Sequence, residues 1–302
     1  MNSIKSLSRS ILLGVSILLF ISEVHAQNYE NLHLLKGDNI DVYYSESANA
    51  QAESMATLCD GVISFYKSTI DFQPTVTLLV LSATDWGKYT DFPVYGMPHY
   101  TDKNTLVVAS ENNDFWKSML PPLDQLPTDL AKQISETYVD SNGNLTMRKF
   151  FDLLAIHELG HAFHAQGNLT MHRKWIGELF SNMFLHTYIA EKKPELLPAL
   201  TIFPTMVVTS VNKKDLKYST LDEFEANHGL IASQFPQNYG WYQCRLHTAA
   251  GTIYDEAGVS AFQKLWNVLK TNNDPLDDSA LAELLSKMVD ESVANVPLEW
   301  NN

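Results

Sequence analysis

The chain has 302 residues, 45% apolar and 19% charged, with a formal net charge of −14. That balance supports a globular core and excludes an extended disordered chain. It also excludes nucleic-acid binding, since no basic cluster is longer than Lys213-Lys214, and an acidic surface of this kind mainly confers solubility.

At the amino terminus, Lys5 and Arg9 precede an apolar run from Ile11 to Ile21, and Val24-His25-Ala26 offers a small-residue cleavage site. This pattern reads as a signal peptide over residues 1–26, removed to leave a mature chain from Gln27. Eleven residues cannot cross a bilayer as a helix, so no stable membrane insertion is expected after cleavage. The expected destination is the periplasm or the exterior. Next, Ile40 to Tyr44 and Val76 to Leu81 read as strands, with an amphipathic helix from Ala48 to Thr69 between them. A Gly/Pro loop, Asp91 to Pro98, feeds a third strand over 104–109. Residues 124–137 read as helix. The run from Tyr138 to Asn144 has the look of a calcium loop, but Tyr138 and Lys149 fall where key ligands belong, so it reads as a turn.

The segment 147–166 is one largely apolar helix, in which Phe150, Phe151, Leu153, Leu154, Ile156, Leu159, Ala162 and Phe163 leave no wholly polar face. Within it stands His157-Glu158-Leu159-Gly160-His161, an H-E-x-x-H motif. Imidazoles four residues apart lie about 40° apart around a helix, so both can grip one ion. Zn²⁺ accepts neutral imidazole nitrogen, and a catalytic site needs three protein ligands and one open position. Glu158, beside the first His, can take a proton from water at that position. Two histidines and a glutamate in a buried helix are costly unless a partner satisfies them, and a metal is the simplest one.

Gly167-Asn168 is a plausible helix end, and everything beyond it reads as helical: 172–192, 218–234, 239–256, 259–271 and 278–290. The fold class is therefore α+β, with a β-containing amino-terminal lobe over 27–166, a helical lobe over 167–302 and the metal site at their junction. In the helix over 172–192, Glu178 falls among the apolar positions 175, 176, 179, 180, 183 and 184. A carboxylate turned toward the core needs a cation, and the zinc site supplies one. Cys59 and Cys244 either bridge or remain two buried thiols.

H-E-x-x-H, a short loop, then W-x-x-E-x-x-x-[ND] resembles the gluzincin metallopeptidases, especially the aminopeptidase N-like branch and its smaller bacterial relatives. His157, Glu158, His161, Trp175, Glu178 and Asn182 match that pattern position by position. The resemblance implies a thermolysin-like catalytic domain with one zinc per chain on His157, His161 and Glu178, and with Glu158 as general base. It implies that Asn182 orients a ligand histidine, and that an edge strand before the zinc helix, here placed at 104–109, pairs with the substrate backbone. The metzincin alternative needs Gly then His at the third and sixth positions after His161, and this chain has His164 and Gly167 there. His164 is then a helix-end residue, and His172 is expected in solvent.

An oxyanion donor is also needed. The segment from Asn238 to His247, followed by Gly258 and Phe262, is similar to the aminopeptidase N pattern of a catalytic tyrosine before a helix. Counting back from Gly258 and Phe262 points to Tyr242, with Tyr239 as the alternative and His228 and His247 behind both. Core packing is the competing role for either tyrosine. The aminopeptidase signature that reads a free amino terminus is missing, so exopeptidase action does not follow. The resulting expectation is an exported zinc metallopeptidase that hydrolyses peptide bonds through a zinc-activated water, with a peptide or protein as its partner. A zinc hydrolase of another amide or ester, or a non-catalytic gluzincin-like binding module, are the alternatives.

Overall fold

The computed structural model describes residues 29–101, 103–140 and 142–301. The expected signal peptide lies outside the described residues. A five-stranded sheet is built from β1 (His33–Lys36), β2 (Asp41–Tyr44), β3 (Thr77–Leu81), β4 (His99–Tyr100) and β5 (Thr105–Ala109), in the order β1-β2-β3-β5-β4. The three central strands are parallel, with Asp41 opposite Thr77 and Thr77 opposite Thr105. The two edges, β1 and β4, run antiparallel to their neighbours. Parallel strands covered on both faces read as unbroken apolar runs rather than alternations. Leu78 to Leu81 and Thr105 to Ala109 are buried throughout, which is that pattern. The parallel pairs need crossovers, supplied by α1 (Asn49–Ile70) and by a longer connection containing α2 (Ala83–Tyr89).

After the short α3 (Asp114–Ser118) and α4 (Thr128–Thr137), the chain becomes helical to its end. Asp140 closes the turn between α4 and the next helix by accepting the amides of Asn142 and Asn144, as a turn residue rather than a calcium ligand. α5 (Arg148–Gln166) packs against β4 and β5 on one side and against α6 (Lys174–Lys192) on the other. α6 is buried on every side from Trp175 to Ile189. α7 (Leu197–Ser210), α8 (Leu221–Gln234), α9 (Pro236–Thr271), α10 (Asp278–Met288) and α11 (Glu291–Glu299) follow. The expected break between 256 and 259 is present: Gly258 interrupts α9 with φ 62° and ψ −161°, a conformation open essentially to glycine alone.

An aromatic core joins α1, α5, α6 and α9. Tyr66 stacks on Phe184 at 3.9 Å between ring centroids and donates its hydroxyl to the Phe184 carbonyl at 2.6 Å. Phe163, Phe180 and Phe262 complete it. Such ring pairs add stabilisation beyond their buried area and fix the relative rotation of the helices that carry the polar site. Cys59 and Cys244 are both buried free thiols. Among the described residues, no helix is long and apolar enough to cross a membrane.

Candidate metal centre

Helices α5 and α6 approach closely because residue 160 is glycine. A Cβ there would lie 3.1 Å from Ser181 Cα and 3.2 Å from its hydroxyl, too tight for the present spacing. That approach brings Glu178 against the α5 histidines. His157 and His161, one turn apart, hold their Nε2 atoms 3.1 Å from each other. Glu178 Oε2 lies 3.3 Å from the first and 3.7 Å from the second.

These distances test whether a metal fits. Donor atoms around a tetrahedral zinc at about 2.0–2.1 Å stand about 3.3 Å from one another. In the observed triangle, a point equidistant from the three donors lies about 2.0 Å from each. Two imidazoles and a carboxylate are also a donor set that zinc accepts, so His157, His161 and Glu178 fit the ion. Glu158 also brings a carboxylate oxygen within 4.8 Å of both histidine donors, which makes it a rival for the third corner. Glu178 is the better-placed candidate for that corner, since its Oε2 stands 3.3 and 3.7 Å from the two histidine nitrogens, whereas Glu158 Oε2 is turned to the Tyr100 backbone amide of β4 at 3.1 Å.

The charges around the site follow from burial. Burial, helped by the neighbouring histidines and opposed by Glu178, holds His161 down to about 3 and His164 down to about 4, so both rings are neutral near pH 7. His157 is also penalised by burial, but Glu178 and Glu158 outweigh that and raise it above its ordinary range. For Glu178, burial works against the charged form, yet His157 and His228 together with His161 hold its carboxyl well below the usual range. Glu158 has less help, and burial pushes it up to about 7. Near neutrality is where a general base transfers protons most effectively.

Both carboxylate oxygens of Glu178 also have neighbours on α8 and α9. Gln243 donates to Oε2 at 2.8 Å and to the Tyr239 hydroxyl at 2.9 Å, and that hydroxyl lies 3.4 Å from Oε1. His228 Nε2 stands 3.5 Å from the same oxygen. Burial and the two glutamates keep the Tyr239 phenol well above its ordinary value, so it remains a donor.

Several expectations need correction. Tyr242 does not face the cluster: its hydroxyl donates to the Thr220 carbonyl at 2.8 Å and its ring stacks on Trp300. On a helix, 239 and 243 lie about 40° apart, whereas 242 lies about 100° from 243 and turns toward α8 and Trp300. Tyr239 is therefore the tyrosine at the site. The strand over 104–109 is paired on both sides, so it offers no free edge; the edge next to the site is β4. Asn182 gives its amide to the Glu178 carbonyl and its oxygen to His247 Nδ1 at 3.1 Å. Asn182 also faces His157 and favours its charged form, although His157 Nδ1 makes no hydrogen bond of ordinary geometry. His164 is more than a helix end, since its Nε2 lies 2.9 Å from His161 Nδ1. Both ring nitrogens of His172 are covered rather than solvated.

Gln243 and Tyr100 are parts of the site that the sequence reading does not contain, His164 is one it places at a helix end, and His228 is one it ranks behind the tyrosines. The i,i+4 step from Tyr239 to Gln243 and the i,i+3 step from His161 to His164 were the available signals. Nothing local marks Tyr100. No protein-family model matches this chain, and no curated protein matches it.

Proposed function

We propose that this protein is an exported zinc metallopeptidase of gluzincin type, cleaving peptide bonds at the His157–His161–Glu178 centre. The observation that supports this reading is the triangle of buried donors of zinc's dimensions, with a second carboxylate, Glu158, pinned beside it. A zinc ion held there supplies Lewis acidity, acidifying water and polarising a carbonyl. The remaining work falls to side chains. Glu158 Oε2 is fixed by the Tyr100 amide, which leaves Oε1 to take the proton of the attacking water and deliver it to the departing nitrogen. The Tyr239 hydroxyl donates a hydrogen bond to the oxyanion as its charge develops, and His228 flanks it. β4, an edge strand beside Glu158, presents backbone against which an extended peptide can align.

The test is peptide-library cleavage by the purified protein with and without a chelator. Cleavage should vanish on chelation, return with zinc, and fall about 10²–10⁴-fold or more in Glu158→Gln, whose amide cannot accept the proton. Zinc-loaded protein that cuts no peptide would remove the peptidase reading, and cleavage of another amide or an ester would replace it. Near-native hydrolysis by Glu158→Gln would assign the base elsewhere.

A further inference from the structure

We propose that His164 is a positioning residue for the metal centre, holding His161 in the tautomer that leaves its Nε2 free to bind a cation. This rests on the zinc reading and adds a residue that H-E-x-x-H does not contain.

A neutral imidazole carries one proton on one of its two nitrogens. His161 turns Nε2 into the donor triangle and Nδ1 outward, where His164 Nε2 lies at 2.9 Å. The two rings share a single proton across that contact. If His164 donated it, His161 would carry its own proton on Nε2 and could not bind a metal. If His161 donates, its Nε2 lone pair is free and the ring becomes a better ligand. An acceptor on the far nitrogen of a ligand histidine fixes both tautomer and ring orientation. Here the acceptor is another imidazole.

The placement of His164 is structural rather than incidental. Three residues after His161 it sits on the same face of α5, with the two rings edge to face at 5.2 Å and 81°. Phe180 of α6 packs edge-on against the His164 ring at 5.9 Å and 89°, which restrains its rotation. The other ligand ring has weaker support: Asn182 faces it, but among the described residues His157 Nδ1 makes no hydrogen bond of ordinary geometry. The orientation of the histidine pair therefore depends on His161. Ser181 Oγ, at 3.2 Å from His161 Nδ1, is the rival acceptor. Its contact is longer, and a hydroxyl rotor enforces a tautomer less strictly than an imidazole lone pair.

The deciding experiment measures Zn²⁺ affinity by competition with a chromophoric chelator. The proteins are wild type, His164→Leu, His164→Ala, His164→Gln and Ser181→Ala, with the thermal midpoint of each apo form as a folding control. Removing the acceptor should weaken zinc binding about 10–100-fold in both His164→Leu and His164→Ala. His164→Gln, whose amide oxygen can accept the same proton, should recover most of the loss, which a purely structural role would not predict. Ser181→Ala should stay within about threefold of wild type, as the longer contact implies. Equal affinity of His164→Leu and wild type would overturn the inference and leave the zinc reading standing. A loss confined to Ser181→Ala would transfer the role to Ser181. Wild type that binds no zinc would overturn both readings.

Discussion

Toward the start of α5, Asp152 accepts a hydrogen bond from Gln51 at 2.8 Å and stands 3.7 Å from the Arg148 guanidinium. Arg148 in turn reaches Gln51 and the Ser110 carbonyl. Further along α5, His157 and His161 meet the buried carboxylate of Glu178 from α6, which among the described residues has only histidines within ion-pair distance. The first group holds a permanent cation and neutral donors, although these only partly offset the burial of the Asp152 carboxylate. The second balances its negative charge with imidazoles whose protons a metal can displace. Buried carboxylates are costly without a cation, and the second group has no Lys or Arg within ion-pair distance among the described residues, which marks it as the candidate for metal binding.

The sharpest challenge to that distinction lies in the tyrosines above the second group. Tyr239→Phe keeps the ring and removes the hydroxyl next to Glu178, so kcat should fall about 10²–10³-fold with a smaller change in KM. Tyr242→Phe removes a hydroxyl that serves the Thr220 carbonyl, so catalysis should stay close to wild type, with a stability loss of about 1 kcal/mol. Steady-state kinetics on both variants decides between them. A crippled Tyr242→Phe beside an active Tyr239→Phe would mean that the reaction does not occur at this cluster.

A smaller effect is expected at Asp152. Burial raises its carboxyl to about 6, although Arg148 and Gln51 pull the other way. The folded chain then holds this proton more tightly than the unfolded chain, in which an aspartate titrates near about 3.9. The resulting stability is fully present below about pH 4 and is lost as pH rises through about 6. Asp152→Asn does not titrate, so its stability should gain on wild type by about 2 kcal/mol between pH 4 and pH 7. Denaturant midpoints across that range measure it. A difference that does not vary with pH would show that Asp152 is as well solvated as an ordinary surface carboxylate.

The features legible in the sequence were those carried by spacing along one helix. H-E-x-x-H and the misplaced polarity of Glu178 in an apolar helix could be read because both follow a helical period, and the structure brings those residues together. β2, β3, β5 and most long helices are legible from their own apolar runs and periods. β1 is mostly exposed and shows no buried alternation, and β4, two residues long, is too short to show a period, so the edge beside Glu158 carries no sequence signal. α7 and α11 each contain a proline, Pro204 and Pro297, which reads as a break in a sequence but is tolerated here inside the helix. Tyr242 was preferred over Tyr239 because counting residues ignores which way a helix face turns. His228 depends on the non-helical residue Asn227 (φ −123°) within α8, a bend that packing imposes and no local signal announces.

The central claim is that the three donors form one metal site, and zinc analysis of purified wild type and Glu178→Ala tests it most directly. The account predicts one tightly held zinc per chain in wild type and loss of tight binding in the variant, which removes one corner of the triangle and leaves two imidazoles. Wild type without zinc, or Glu178→Ala with full and equally tight occupancy, would contradict it.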